Sequence, residues 1–292
     1  MRLIVHGGAG SSPAAPAARQ AVLDDAAAAG VGASTPVDAV EAALRTLERD
    51  ERFNAGRGGA VQSDGRVRVD AGVMTSGGEI GAVASLAGVE HPISVARAVC
   101  VETPHVLLAG PPGEAFAECV GVETGVDLLT EATRERFAAA DPPHGDAADQ
   151  LAWLRDRFGD DAGGADPTTD HDTVGAVAGD GETFAAATST GGRWFALAGR
   201  VGDVPQVGSG FYCGAAGGAS ATGAGEDIAR VTLTRRAVDR LGAGASAQSA
   251  AEAAIAAFAD ETGSTAGLIV LDAEGVGSAY NSDAMQTAVA ER

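Results

Sequence analysis

A chain of 292 residues, 45% of them hydrophobic, can bury one large core or two small ones. Its 40 acidic residues face only 20 basic ones, all Arg, and the net charge of −20 makes nucleic acid and anionic membrane poor partners. The acids are scattered rather than gathered into a tail, so the charge reads as a halophilic surface whose self-repulsion salt would screen.

Leu3 to Val5 is a short buried strand running into the turn Gly7-Gly8-Ala9-Gly10, which is neither a dinucleotide fingerprint nor a P-loop. A helix is expected over residues 14–29. The next opens at Thr35-Pro36, with Thr as N-cap and Pro at the first helical position, and runs to about Arg49. Its Val37, Val40, Ala43, Leu44 and Leu47 share one face. Phe53 to Gly59 is a glycine-rich loop. Short strands are expected at 61–62, 66–70 and 81–86, with Ser63-Asp64-Gly65 as a hairpin turn between the first two. Then come a helix at 92–101, a strand at 105–109, and helices at 114–120 and 146–158. Residues 159–172 are acidic and too poor in apolar groups to fold alone, so they read as a flexible linker. Beyond them strands are expected at 174–178 and 183–187, then a loop and a further strand, helices at 225–241 and 246–259, and strands at 267–272 and 276–281. Hairpins with helices grouped between them imply an α+β fold, antiparallel sheet covered by helix layers.

Cys100, Cys119 and Cys213 are odd in number and lack metal-ligand spacing, which fits a reduced cytoplasm. The apolar start is too short for a signal peptide, and no run reaches membrane-spanning length, so a soluble cytoplasmic protein is expected.

The chemistry points to Thr173, where the acidic segment meets a core strand. A cut before it would leave a hydroxyl and a free amine on one residue. Such an amine, with a pKa of about 7.7–8.0, is suited to act as the base for its own hydroxyl. Taken alone, Asp172-Thr173 could equally cap a strand. Downstream, Thr190 places a second hydroxyl at a strand end. Arg200 can take a carboxylate bidentately and Asp203 an ammonium, so together they suit the amino-acid end of a zwitterion. Thr222 and Gly223, before a helix, can hold an oxyanion. Each has a plainer alternative: a surface ion pair for Arg200 and Asp203, a packed hydroxyl for Thr190, an N-cap for Thr222. His6 and His171 have no second ligand at metal spacing, so packing or turn roles suit them better.

These segments, with Val5 to Gly10, Phe53 to Gly56, Asp70-Ala71 with Met74, Ser94 to Val99 and Thr103 to Val106, resemble the plant-type asparaginase and isoaspartyl aminopeptidase family of N-terminal nucleophile hydrolases. The resemblance spans nearly the whole chain. It implies an αββα sandwich, a single domain over 1–292 made as a precursor that cuts itself between Asp172 and Thr173 into chains 1–172 and 173–292. It makes Thr173 the nucleophile, Thr190 its support, Thr222 and Gly223 the oxyanion pair, and Arg200 and Asp203 the substrate clamp, with Asn54, Gly192 and Gly225 as further site positions. The implied reaction is hydrolysis of L-asparagine to L-aspartate and ammonia, and also of β-aspartyl dipeptides. The resemblance implies no catalytic cofactor. It does imply a structural sodium or potassium ion on the backbone carbonyls of Leu47, Glu48, Asp50, Phe53, Ala55 and Arg57, and a homodimer of αβ pairs. Asp172 stands where that family usually has Gly, and His171-Asp172-Thr173 resembles glycosylasparaginases, whereas Thr190-Gly191-Gly192 follows the asparaginase pattern. Arg193 to Ala196 is bulkier than is usual there. The alternatives are a glycosylasparaginase-like amidase and an unprocessed homologue that only binds amino acids.

Overall fold

The computed structural model describes residues 1–143, 145–158 and 173–292; the linker expected at 159–172, with His171 and Asp172, lies outside the described residues. The first part of the chain forms β1 (Arg2–Gly10), α1 (Pro16–Val31), α2 (Pro36–Arg49), β2 (Val69–Thr75), β3 (Ile80–Leu86), α3 (Pro92–Glu102), β4 (Leu107–Ala109), α4 (Gly110–Cys119), α5 (Glu131–Ala139) and α6 (Ala147–Phe158). The second forms β5 (Val174–Gly179), β6 (Phe184–Thr190), β7 (Phe211–Gly214), β8 (Gly217–Gly223), α7 (Gly225–Val231), α8 (Leu233–Gly242), α9 (Ala247–Thr262), β9 (Ala266–Leu271), β10 (Val276–Tyr280) and β11 (Ala284–Glu291).

The strands make a seven-stranded sheet, ordered β11-β1-β5-β6-β2-β3-β4, and a four-stranded sheet, ordered β10-β9-β8-β7. Alternation along β1 shows why two faces are covered. Leu3 and Val5 join a core with Leu23 of α1, Leu44 and Leu47 of α2, and Val95 of α3. Ile4 points the other way, into a core with Val177, Phe211, Ile269 and Leu271 between the sheets. A third core sets Ala219, Leu268 and Val270 of the small sheet against Val238 of α8 and Phe258 of α9. Phe211 is fully buried, a gain of about 1.5–3 kcal/mol for such a side chain. Its ring occupies the space over Gly72, where a Cβ would come within 2.0 Å of it.

Thr35 caps α2 as expected, its hydroxyl accepting the Asp38 N–H at 3.3 Å. Other expectations need correction. The hairpin expected at Ser63-Asp64-Gly65 is only a single bridge, Val61 to Val67; the true hairpin joins β2 to β3. One helix was expected over 225–241, but Thr232, at φ 53°, breaks it into α7 and α8. α5 has no counterpart among the expected elements, and two strands, β7 and β8, stand where one was expected. β11 was also missed. It pairs antiparallel with β1, from the far end of the chain. The sheets are antiparallel except where β4 runs parallel to β3. No described helix is long and apolar enough to cross a membrane.

Candidate active site

Thr173 directly precedes β5, which pairs with β6 through Val174 to Ser189, so the ladder delivers Thr173 beside Thr190. The Thr173 hydroxyl donates to Thr190 Oγ1 at 3.1 Å, and Thr190 Oγ1 also accepts the Gly192 N–H at 3.0 Å. Asn54 staples this corner. Its Nδ2 donates to the Gly192 carbonyl at 2.6 Å, its Oδ1 accepts the Ala60 N–H at 2.7 Å, and its carbonyl accepts the Gly191 N–H at 2.8 Å. Both ends of the Asn54 amide therefore serve the loop.

The small sheet supplies the opposite wall. A Cβ on Gly218 would lie 2.9 Å from Val177 and 3.2 Å from Ala186, and one on Gly175 would lie 1.9 Å from Ser220 Oγ. Ser220 also meets Thr188 Oγ1 at 2.7 Å. Two residues further along the same face of β8 comes Thr222. Thr222 is fully buried in β8 and not in a helix, and Gly223 follows at φ 137°, a conformation that favours glycine. Below this level, His6 Nε2 lies 3.0 Å from Ser220 Oγ. Burial lowers the His6 pKa to about 3, opposed by the nearby Thr173 backbone, so the imidazole is neutral. It is fully buried and packs against the Ser220 hydroxyl.

Arg200 and Asp203 both lie against Gly225, and Arg200 is already engaged. Its Nε and Nη2 donate to Glu226 Oε1 and Oε2, both at 2.9 Å. Gly225 makes room: a Cβ there would lie 2.7 Å from Asp203 Oδ1 and 2.9 Å from Arg200 Nη2. Asp203 is 6% exposed, and its Oδ2 has no hydrogen-bond partner. Burial raises its pKa to about 7 against the pull of Arg200. Gln62, which sequence reasoning passed over, holds the clamp loop through Gly199 N–H at 2.8 Å and the Arg200 carbonyl at 3.2 Å. Beside the clamp lies a cavity of about 300 Å³ lined by Leu154, Arg193, Trp194, Leu197, Arg200 and Glu226. The bulky 193–196 segment is thus a wall of the cavity at the clamp. Phe195, at φ 59°, packs edge-on to Trp153 with ring centroids 5.6 Å apart.

Two acids were given no role of their own: Asp70, named only within a matching segment, and Glu226, which directly follows Gly225. No cluster of three or more described His, Cys, Asp or Glu residues could hold a metal ion. At the end of α2 and the start of the loop after it, the Leu47, Glu48 and Asp50 carbonyls each accept one backbone N–H, at 3.2, 2.9 and 3.1 Å, leaving each a second lone pair. Gly56 turns at φ 56°, where a Cβ would lie 2.4 Å from the Glu48 carbonyl oxygen, so the loop closes tightly around its own carbonyls. This donor set fits a hard monovalent cation.

Comparison with known proteins matches this arrangement to one family: the Asparaginase model covers residues 1–292. The chain belongs to the asparaginase family. It is 38% identical over 298 residues to the plant-type L-asparaginase of Thermococcus kodakarensis, covering 98% of this chain and 95% of that protein. It is 40% identical over 295 residues to the plant-type L-asparaginase of Pyrobaculum calidifontis, covering 97% and 94%. The isoaspartyl peptidase/L-asparaginase of Bos taurus is 35% identical over 288 residues, covering 94% and 87%. Membership makes the chain an amidohydrolase of a family whose chemistry needs no cofactor.

Proposed function

We propose that this family member is a self-processing threonine amidohydrolase that converts L-asparagine to L-aspartate and ammonia and also cleaves β-aspartyl dipeptides. The observation that carries the reading is the Thr173 hydroxyl seated on Thr190 at the end of a core strand. Cleavage between Asp172 and Thr173 frees the Thr173 amine. That amine takes the hydroxyl proton as Oγ1 attacks the side-chain carbonyl, and the Thr222 hydroxyl and Gly223 N–H hold the oxyanion. The proton passes to the departing ammonia. Water, activated by the same amine, then hydrolyses the β-aspartyl ester. Arg200 binds the substrate α-carboxylate and Asp203 its ammonium, the partner that the buried Asp203 Oδ2 lacks. Gly192 and Gly225 give the ligand close access, and Asn54 fixes Gly192.

The three cores support a four-layer αββα sandwich of the N-terminal nucleophile type, a single domain over 1–292 that becomes chains 1–172 and 173–292. A sodium or potassium ion on the carbonyls of Leu47, Glu48, Asp50, Phe53, Ala55 and Arg57 would brace the loop that carries Asn54. The mature unit is a dimer of αβ pairs. The free thiols suit a cytoplasmic location and the charge of −20 a salt-adapted surface, for which a melting temperature rising steadily with KCl is the expected result. Denaturing electrophoresis and N-terminal sequencing test processing: two chains are expected, the second beginning at Thr173. Thr173→Ala should stay intact and release no ammonia from asparagine. An intact parent chain under folding conditions, or turnover by the variant, refutes the reading.

A further inference from the structure

Asn281 stands just past the end of β10 and closes its ladder with β9 in a way that bears on β8 as well. Its backbone N–H donates to the Ala266 carbonyl at 3.1 Å, and its side-chain Oδ1 accepts the Ala266 N–H at 2.7 Å. Its Nδ2 donates to the Ser264 carbonyl at 2.9 Å. Both ends of this amide hold the segment that enters β9, just as both ends of the Asn54 amide hold the loop at Gly192. The Ser264 hydroxyl in turn donates to Asp227 Oδ2 of α7 at 2.5 Å.

The consequence falls on Gly223. Successive residues of a strand turn their N–H and C=O groups to opposite neighbours. Ala266 turns both of its groups to Asn281, so neither meets β8. Its register partner in β8 is Gly223, and the bond beside this pair runs from the Ala224 N–H to the Thr265 carbonyl at 3.0 Å. Gly223 and Ala266 are therefore a non-hydrogen-bonded pair, and the Gly223 N–H faces away from β9. Two residues earlier, Ala221 directs its N–H to the same side, where it meets the Gly210 carbonyl at 2.9 Å; the Gly210 N–H meets the Asp203 carbonyl at 3.1 Å. The Gly223 N–H thus points to the side that carries the clamp loop. Gly223 also lies close against the segment behind it: a Cβ there would come within 2.5 Å of the Thr265 carbonyl oxygen and 2.6 Å of Ala266 Cα. We propose that Asn281 is a positioning residue that, by holding Ser264 and Ala266, aims the Gly223 N–H at the oxyanion. This rests on the oxyanion role that the proposed function gives Gly223.

Asn281 is exposed, so Asn281→Ala opens no cavity in a core. Per chain beginning at Thr173, kcat for L-asparagine should fall about ten- to hundredfold with KM nearly unchanged, because a displaced oxyanion donor is missed in the transition state and not in the bound substrate. Gln248→Ala is the control. Gln248 of α9 holds the same strand three residues earlier, its Oε1 accepting the Ser278 N–H at 3.0 Å and its Nε2 donating to the Ser278 carbonyl at 3.1 Å. This variant should lower the urea midpoint as Asn281→Ala does and leave kcat unchanged. Asn281→Asp keeps an acceptor for the Ala266 N–H and should recover part of kcat. A purely structural role would leave kcat per cleaved chain at the parent value in Asn281→Ala, and that result overturns the proposal. Equal losses of kcat in Asn281→Ala and Gln248→Ala, a change in KM alone, or Asn281→Asp no more active than Asn281→Ala also overturn it. If neither Asn281 variant matures, Asn281 belongs to the fold and not to the oxyanion site, and the proposal fails. A parent that stays uncleaved or releases no ammonia refutes the amidohydrolase reading, and this proposal falls with it.

Discussion

Glu48 and Asp203 are both buried carboxylates, yet the fold provides for them differently. Glu48 is fully buried, and both its oxygens are used: Oε1 accepts the Ser189 hydroxyl at 2.7 Å and the Ile93 N–H at 3.1 Å, and Oε2 pairs with His91 Nδ1 at 3.1 Å. These bonds tie α2 to α3 and to the outer face of β6. Asp203 keeps one oxygen without a partner, at a cost of about 1–3 kcal/mol for a buried polar group. A satisfied acid explains itself as scaffold. An unsatisfied one is open to a ligand group that would complete it.

The largest effect should come from breaking the satisfied knot. Glu48→Ala leaves His91 and Ser189 without their acceptor and should cost about 3–5 kcal/mol of stability, read from urea denaturation. Its loss should be greater in stability than in kcat/KM. Asp203→Asn should behave in the opposite way. Loss of a buried charge partner for the ammonium should lower kcat/KM for asparagine by about 2–5 kcal/mol, roughly thirtyfold to several thousandfold. Its stability should rise relative to the parent, with a definite pH dependence. The Asp203 pKa is raised from 3.8 to about 7, so its contribution is full below the unfolded value and is lost as pH climbs through the folded one. The gap in favour of Asp203→Asn should therefore widen from about pH 4 to above pH 7. A constant gap in denaturation midpoints across that range would show that Asp203 does not titrate as described.

Gly225→Ala sharpens the comparison at the clamp alone. The added methyl would press on Asp203 Oδ1 at 2.7 Å and Arg200 Nη2 at 2.9 Å without altering either charge. Overpacking of about 1–3 kcal/mol should appear mainly in KM, about 5- to 150-fold, with chain cleavage retained. An unchanged KM would mean that the clamp accommodates the methyl and that Gly225 is only the start of α7.

Local pattern carried most of the elements into view. Thr35-Pro36 announces α2 because cap and helix start are neighbours in sequence, and Val174 to Ala178 reads as a buried strand from composition alone. β11 was hidden because what makes it a strand is β1, at the other end of the chain. The kink at Thr232 was hidden because periodicity continues across it. Thr173, Thr190, Arg200 and Asp203 were legible as residue types at particular spacings, and the ladders bring Thr173 to Thr190. Glu226, Asp70 and the Glu48 side chain were not, since in a chain with 40 acids a carboxylate carries little information until its burial is known. Gln62 likewise acts on Arg200 only through the folded loop.

The smallest effect is expected two residues from the site. Thr188 and Thr190 lie on the same face of β6 and are chemically identical. Thr190 receives Thr173 and Gly192; Thr188 donates to the Gly210 carbonyl at 2.8 Å and meets Ser220 at 2.7 Å, and Ser220 is also held by His6. In Thr188→Val, Ser220 still has His6, and the Gly210 carbonyl keeps the Ala221 N–H at 2.9 Å. The loss should thus be near that of one ordinary hydrogen bond, about 1 kcal/mol, seen in the urea midpoint. Thr190→Val removes the acceptor of the Thr173 hydroxyl and should lower ammonia release far more than it lowers stability. If the two variants lost turnover equally, the division between completed scaffold and incomplete site could not run between neighbouring levels of one strand, and the His6–Ser220–Thr188 layer would have to be counted within the site.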